Sequence, residues 1–245
     1  MTKSRRFGAV DTGCLAASVL LMLDMGTASP AGAALIDRGG GLIYDTGLNV
    51  TWLADANDAF GSIYDSSDGT TDGRMTWSNA VAWAATLSYF DSVRNVTYTD
   101  WRLPALVDTG APGCDYANSG TDCGYNVDTL NSEMAYLFYV DLGDKALKDA
   151  NGINQTGYGL VNVGPFSNFQ SYSYWTGTEY APNTAGAWSF NTSDGSQGSS
   201  NKGNTFYALA VMPGDVAAVP VPAAAWLFGT GLLATRAVAR RRRAA

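Results

Sequence analysis

The chain has no histidine. That excludes Ser-His-Asp and Cys-His nucleophilic catalysis and the common His-bearing zinc sites. Any enzymatic chemistry would have to come from carboxylates, Tyr, Lys or Cys. Cysteine is scarce, with only Cys14, Cys114 and Cys123. Positive charge is scarce where most of the chain lies: residues 35–218 carry 7 Lys and Arg against 20 Asp and Glu, a net charge of −13. A region this acidic repels nucleic acid and anionic membrane surfaces and attracts cations. No apolar run is long enough to cross a bilayer comfortably, and no internal repeat is evident.

The ends differ from the middle. Residues 1–34 have Lys3, Arg5 and Arg6, then an apolar run from Cys14 to about Met25, then the small residues Ala31-Gly32-Ala33-Ala34. That order is expected of a secretory signal peptide that is removed. Residues 219–245 hold Val219, Pro220, Val221, Pro222 and Ala223, a short apolar stretch from Ala224 to Ala234, and an Arg cluster at 240–243. The apolar part is a marginal span whose Arg cluster would stay cytoplasmic. Between the ends, 184 residues suffice for one domain with a sizeable core. In an exported domain, Cys114 and Cys123 are expected to form a disulfide worth ~2–3 kcal/mol.

Within that domain the pivotal string is Thr99-Asp100-Trp101-Arg102-Leu103-Pro104. Read as the end of a central strand over 98–103, it puts Trp101 and Leu103 on one face and Asp100 and Arg102 on the other. Pro104 should end the pairing. Trp101 is then a core anchor. Arg102 either meets a structural carboxylate or free carbonyls or clamps a ligand, and the structural role is the commoner one.

Before it, Gly39-Gly40-Gly41 gives a flexible lead-in, and 42–45 and 48–52 read as strands around Thr46-Gly47. Thr76 or Ser78 caps a helix with Trp77, Val81, Ala84 and Leu87 facing inward. After it, residues 107–128 form a Gly/Asp/Asn-rich excursion. A second helix opens at Asn131-Ser132-Glu133, buries Met134, Leu137, Phe138 and Leu142, and ends at Gly143. Residues 144–170 are mostly loop. Strands follow at 172–180, 187–191 and 206–211.

The loop with Asp55, Asp58, Asp65, Asp68 and Asp72 concentrates carboxylates among glycines. Such oxygen-rich turning backbone suits Ca²⁺, although its spacing is not that of an EF-hand and solvated turns share the composition.

Two resemblances sharpen this reading. The tail resembles the PEP-CTERM sorting signal of the Val-Pro-Leu-Pro-Ala kind, with Val221 in place of Leu. That resemblance implies processing near Pro220–Ala223 by an exosortase-type enzyme in a Gram-negative bacterium. It also implies transient inner-membrane anchoring and delivery to the cell surface or extracellular matrix.

Residues 41–215 resemble the Lcl C-terminal domain family. The matching strings are Gly41-Leu-Ile-Tyr-Asp45 with Trp52, Met75-Thr-Trp77, Asp100-Trp-Arg-Leu-Pro104, Ser132-Glu-Met134, Tyr174-Trp-Thr-Gly-Thr178, Ala187-Trp188 and Pro213-Gly-Asp215. The resemblance implies an α+β, C-type-lectin-like fold, with two helices packed on twisted antiparallel sheets and long loops. It also implies adhesion, with a sulfated polysaccharide as one ligand class. Ala105 stands where the family often has Thr, and Met212 where it usually has Arg. With the net charge, this argues against an anionic glycan.

The leading expectation is a non-enzymatic binding module for a carbohydrate or another surface component. Arg102, Tyr174, Trp175, Glu179, Tyr180 and Trp188 are its candidate ligand contacts, since Tyr and Trp suit sugar faces as well as cores. The alternatives are a carboxylate-based glycan-active enzyme, which needs two carboxylates across a cleft, and a purely structural matrix protein.

Overall fold

The computed structural model describes residues 34–65, 69–110, 118, 120 and 122–216. The expected signal peptide, the sorting tail with Val219–Ala223, and Cys14, Asp68 and Cys114 therefore lie outside the described residues, apart from Ala34. In chain order the strands are β1 (Leu35–Gly39), β2 (Leu42–Asp45), β3 (Val50–Leu53), β4 (Tyr89–Asp91), β5 (Val96–Tyr98), β6 (Gly124–Tyr125), β7 (Ser173–Glu179), β8 (Gly186–Asn191), β9 (Ser196–Asn201) and β10 (Val211–Pro213). Helix α1 spans Trp77–Thr86, and α2 spans Glu133–Tyr136 and continues as a π turn over Leu137–Asp141.

The strands form a four-stranded sheet in the order β1-β2-β3-β10, a second in the order β6-β9-β8-β7, and the hairpin β4-β5. Every ladder is antiparallel. With two short helices among the described residues, the class is α+β. Among the described residues no helix is long and apolar enough to cross a membrane.

Alternation along the strands builds two cores, one on each side of the β2–β3 pair. Leu42, Leu53, Trp101, Leu103, Trp175, Ala208, Ala210 and Met212 pack with Ala80, Trp83 and Ala84 of α1. Their sequence neighbours Ile43, Trp52, Tyr174, Leu209 and Val211 pack instead with Met134, Leu137 and Phe138. Strands buried on both faces read as near-continuous apolar runs, as Tyr174-Trp175 and 208–212 do. Segment 206–211 ties the sheets together: Tyr207 N–H donates to Ser173 O (3.1 Å), Trp175 N–H to Tyr207 O (3.0 Å) and Leu53 N–H to Ala210 O (3.0 Å).

Several expectations need correction. The glycine lead-in is the tight turn joining β1 to β2, with positive φ at Gly39, Gly40 and Gly41. A Cβ on Gly40 would lie 2.2 Å from an Asp91 oxygen, and one on Gly41 2.1 Å from the Tyr89 hydroxyl. The run is therefore required where the β4–β5 hairpin closes on it.

The strand expected over 98–103 is split. Tyr98 pairs with Tyr89, whereas Arg102 forms a lone antiparallel bridge with Val211. The two ends have different partners, so 99–101 cannot join one ladder. The strand expected over 206–211 is likewise regular only at Val211–Pro213.

The buried stripe of α1 is Ala80, Trp83 and Ala84, while Val81 is 36% exposed. Val81 and Trp83 lie ~200° apart around the helix, and burying the larger indole sets the phase. The second helix follows expectation: the Ser132 hydroxyl accepts from Ala135 N–H (3.2 Å) as N-cap, and Met134, Leu137, Phe138 and Leu142 are buried.

Candidate functional site

The two most distinctive strings of the chain meet at one pocket. Between Trp175 and Glu179 the β7–β8 register shifts. Such an irregularity frees backbone and side chains from the ladder and re-aims them. Gly177 N–H then donates to Pro104 O (2.8 Å), the Thr178 hydroxyl donates to Leu106 O (2.8 Å) and accepts from Leu106 N–H (3.3 Å). The Thr176 hydroxyl holds Trp188 O (3.1 Å).

This seam, with one face of α1, borders a half-open pocket of ≈ 240 Å³ lined by Val81, Ala85, Trp101, Arg102, Leu103, Ala105, Gly177 and Thr178. Small-molecule sites usually measure roughly 300–1,000 Å³. This one admits an occupant of about one ring, with an apolar wall and two polar side chains.

Arg102 is the charged group of the pocket, and its charge is balanced. Its guanidinium donates to both oxygens of Glu133 (2.7 Å each) and to Leu103 O (3.1 Å). Glu133 also accepts the Ala105 N–H (2.6 Å). The bidentate bond to Glu133 raises Arg102 further above its ordinary value, against an opposing desolvation. Such a fork is geometrically specific and fixes the guanidinium. Arg102 is thus structurally paired, yet 37% of its side chain remains exposed at the pocket. Three of its five N–H donors are engaged, leaving donors for a neutral acceptor.

The other candidate contacts lie elsewhere. Tyr174 and Trp175 have no exposed surface, Trp188 is 1% exposed and Tyr180 8%. They are core residues and offer no stacking face, because strand burial on both sides takes up both sets of alternating side chains. Trp175 donates its indole N–H to Met75 O (2.9 Å). Tyr180 packs edge-on against Trp188 at 5.2 Å. Glu179 is exposed and paired with Lys202, which also sits 4.4 Å over the Trp77 ring.

Asp108, which sequence patterns did not single out, accepts from Trp188 Nε1 (2.8 Å), Ala181 N–H (2.6 Å) and Gly110 N–H (2.7 Å). Burial tends to raise its pKa, but these bonds outweigh it and hold the carboxyl below the usual value. Cys123 is buried and disulfide-bonded, and its partner lies outside the described residues.

The acidic loop is closed by its own side chains. Asp65 is fully buried and accepts from Gly61 N–H (2.8 Å), Gly73 N–H (2.6 Å) and Asp72 N–H (3.2 Å). Asp55 accepts from Asn57 N–H and Asn168 Nδ2 (2.9 Å each). Asp72 pairs with Arg74. Burial, and then the charge of Asp55, raises the pKa of Asp58. Among the described residues no group of three or more Asp, Glu, Cys or His side chains is placed to hold a metal ion.

No protein-family model, curated protein or solved structure matches this chain.

Proposed function

We propose that the chain is an exported, non-enzymatic binding module of the Lcl C-terminal type, with a C-type-lectin-like arrangement, that holds one neutral sugar residue of a surface polysaccharide. The observation that carries this reading is the pocket at the seam of Asp-Trp-Arg-Leu-Pro and Tyr-Trp-Thr-Gly-Thr. It is one ring in size, apolar on one wall, and equipped with an Arg102 whose charge Glu133 balances and whose remaining N–H groups can donate, beside a Thr178 hydroxyl that keeps one lone pair after its two bonds to Leu106. A neutral sugar meets no unpaired charge there. An anionic one would face a region whose net charge is −13 over residues 35–218.

The test is a glycan array followed by calorimetry on the purified protein and on Ala85→Trp. Ala85 is exposed on α1 and lines the pocket, so an indole there fills the cavity while leaving the core intact. The expected result is binding to a neutral glycan that drops at least tenfold in Ala85→Trp with unchanged melting. Binding that survives the substitution would rule out this pocket. The absence of any glycan ligand would favour a purely structural matrix role, which the burial of Tyr174, Trp175 and Trp188 also suits. The glycan-active-enzyme alternative has less support, since no carboxylate among the described residues lines the pocket and Glu133, the partner of Arg102, is also committed to Ala105 N–H.

Export and processing belong to the same proposal. The mature protein should lack the signal segment and the Arg-rich tail, as targeting segments are removed. Intact-mass measurement of surface material checks this. Arg240–Arg243 still attached would replace sorting by simple anchoring.

A further inference from the structure

A second unusual arrangement lies in the other core, beneath α2. Asp45 ends β2 with no exposed surface. One oxygen accepts from Gly47 N–H (2.9 Å) and Leu48 N–H (3.0 Å), and the other from Trp52 Nε1 (3.2 Å). Asp141, the last residue of the π turn, brings its carboxyl within hydrogen-bonding reach of Asp45. Both Asp141 oxygens are buried, and neither accepts a hydrogen bond from any donor among the described residues.

Two ionised carboxylates have no donor between them, and burying both without a cation is strongly unfavourable. One proton resolves both problems, as an O–H of Asp141 donated to Asp45. We propose that Asp45 and Asp141 share a single proton, and that this proton latches the π turn and α2 onto the β2–β3 hairpin. Single-turn π insertions recur at functional positions in helices. Here the insertion ends on the residue that carries the proton.

The groups facing Asp141 are Asp45 from β2 and Tyr136 from α2, and no Lys or Arg among the described residues acts on it. The Tyr136 hydroxyl sits so close to Gly47 that a Cβ there would lie 2.3 Å from it. Burial and then the two aspartates push the Tyr136 hydroxyl above its ordinary value, so it stays neutral and adds no further negative charge. Burial first, and the charge of Asp45 second, push the Asp141 carboxyl up to about 8.

A folded pKa above the unfolded carboxyl value of ~3.9 means that the native state binds more protons between the two values. The latch is complete at low pH, weakens as pH rises, and is lost above about 8, when the proton leaves to solvent. Helix α2 begins with Glu133, the partner of Arg102. Loosening it at alkaline pH therefore reaches the rim of the pocket, although the latch itself does not depend on what the pocket binds.

The experiment is a ¹³C-carboxyl NMR titration of Asp141 in the full chain, with denaturant unfolding of wild type and Asp141→Asn at several pH values. The Asn amide donates the same hydrogen bond at every pH. The Asp141 carboxyl is expected to titrate near 8. The wild-type unfolding constant should rise at least ~10-fold between about pH 5 and about pH 9, and Asp141→Asn should lose most of that rise. A carboxyl that titrates below about pH 5, in the ordinary Asp range, would overturn the shared proton. An unchanged pH slope in Asp141→Asn would overturn the latch. Should Asp141→Asn fail to fold, the amide has not replaced the proton, and that result also counts against the latch. The wild-type titration still decides whether the proton is shared.

Discussion

Trp175→Ala should lower stability by about 3–5 kcal/mol, the usual cost of deleting a large buried aromatic. Trp175 has no exposed surface and packs against Phe206 with ring centroids 4.5 Å apart. Its indole N–H satisfies Met75 O, in the segment that leads into α1. The substitution removes the side chain on the α1 side of β7 and leaves that carbonyl with only its bond from Phe206 N–H (3.0 Å). A Trp175→Phe protein should lose less, since it keeps most of the apolar volume and forfeits the hydrogen bond. Denaturant unfolding with an unchanged m-value checks both variants. A Trp175→Ala protein with wild-type stability would mean that the two-core arrangement is wrong at β7.

The second large effect is expected at Asp65. One buried carboxylate there holds the N–H groups of Gly61, Asp72 and Gly73. Asp65→Ala strands all three donors, and each stranded buried donor costs ~1–3 kcal/mol unless water reaches it. With partial access of water, a total of roughly 3 kcal/mol is expected. Asp65→Asn retains one acceptor oxygen and should cost about half as much. Thermal melting reads the order wild type, Asn, Ala. Equal melting of all three would show that the loop is solvated and contributes nothing to the fold.

Much of the scaffold was legible because it rests on local rules. The alternation of Trp101 and Leu103, the N-cap at Ser132 and the inward face of α2 follow from period and capping alone. So did the commoner role for Arg102, whose carboxylate proved to be Glu133.

The misses share a cause. β9 reads Ser196-Gln-Gly-Ser-Ser-Asn201, with no apolar alternation, and exists because β8 and β6 flank it. Segment 98–103 looked like one strand because a sequence does not reveal that its ends pair with different neighbours. Tyr174 and Trp175 looked like a sugar platform because aromatic alternation is the same whether one or both faces are covered. The pocket needs the register shift at Gly177, and the Asp45–Asp141 pair joins two distant positions. Neither leaves a local signal.

The central claim is that the seam around Arg102 and Thr178 receives the ligand. Its most direct test is amide NMR mapping of the purified protein, titrated with the neutral glycan that binds best. The account predicts saturable shifts at Val81, Ala85, Ala105, Gly177 and Thr178, absent in Ala85→Trp. Saturable shifts confined to another face, with these five amides unmoved, would contradict it.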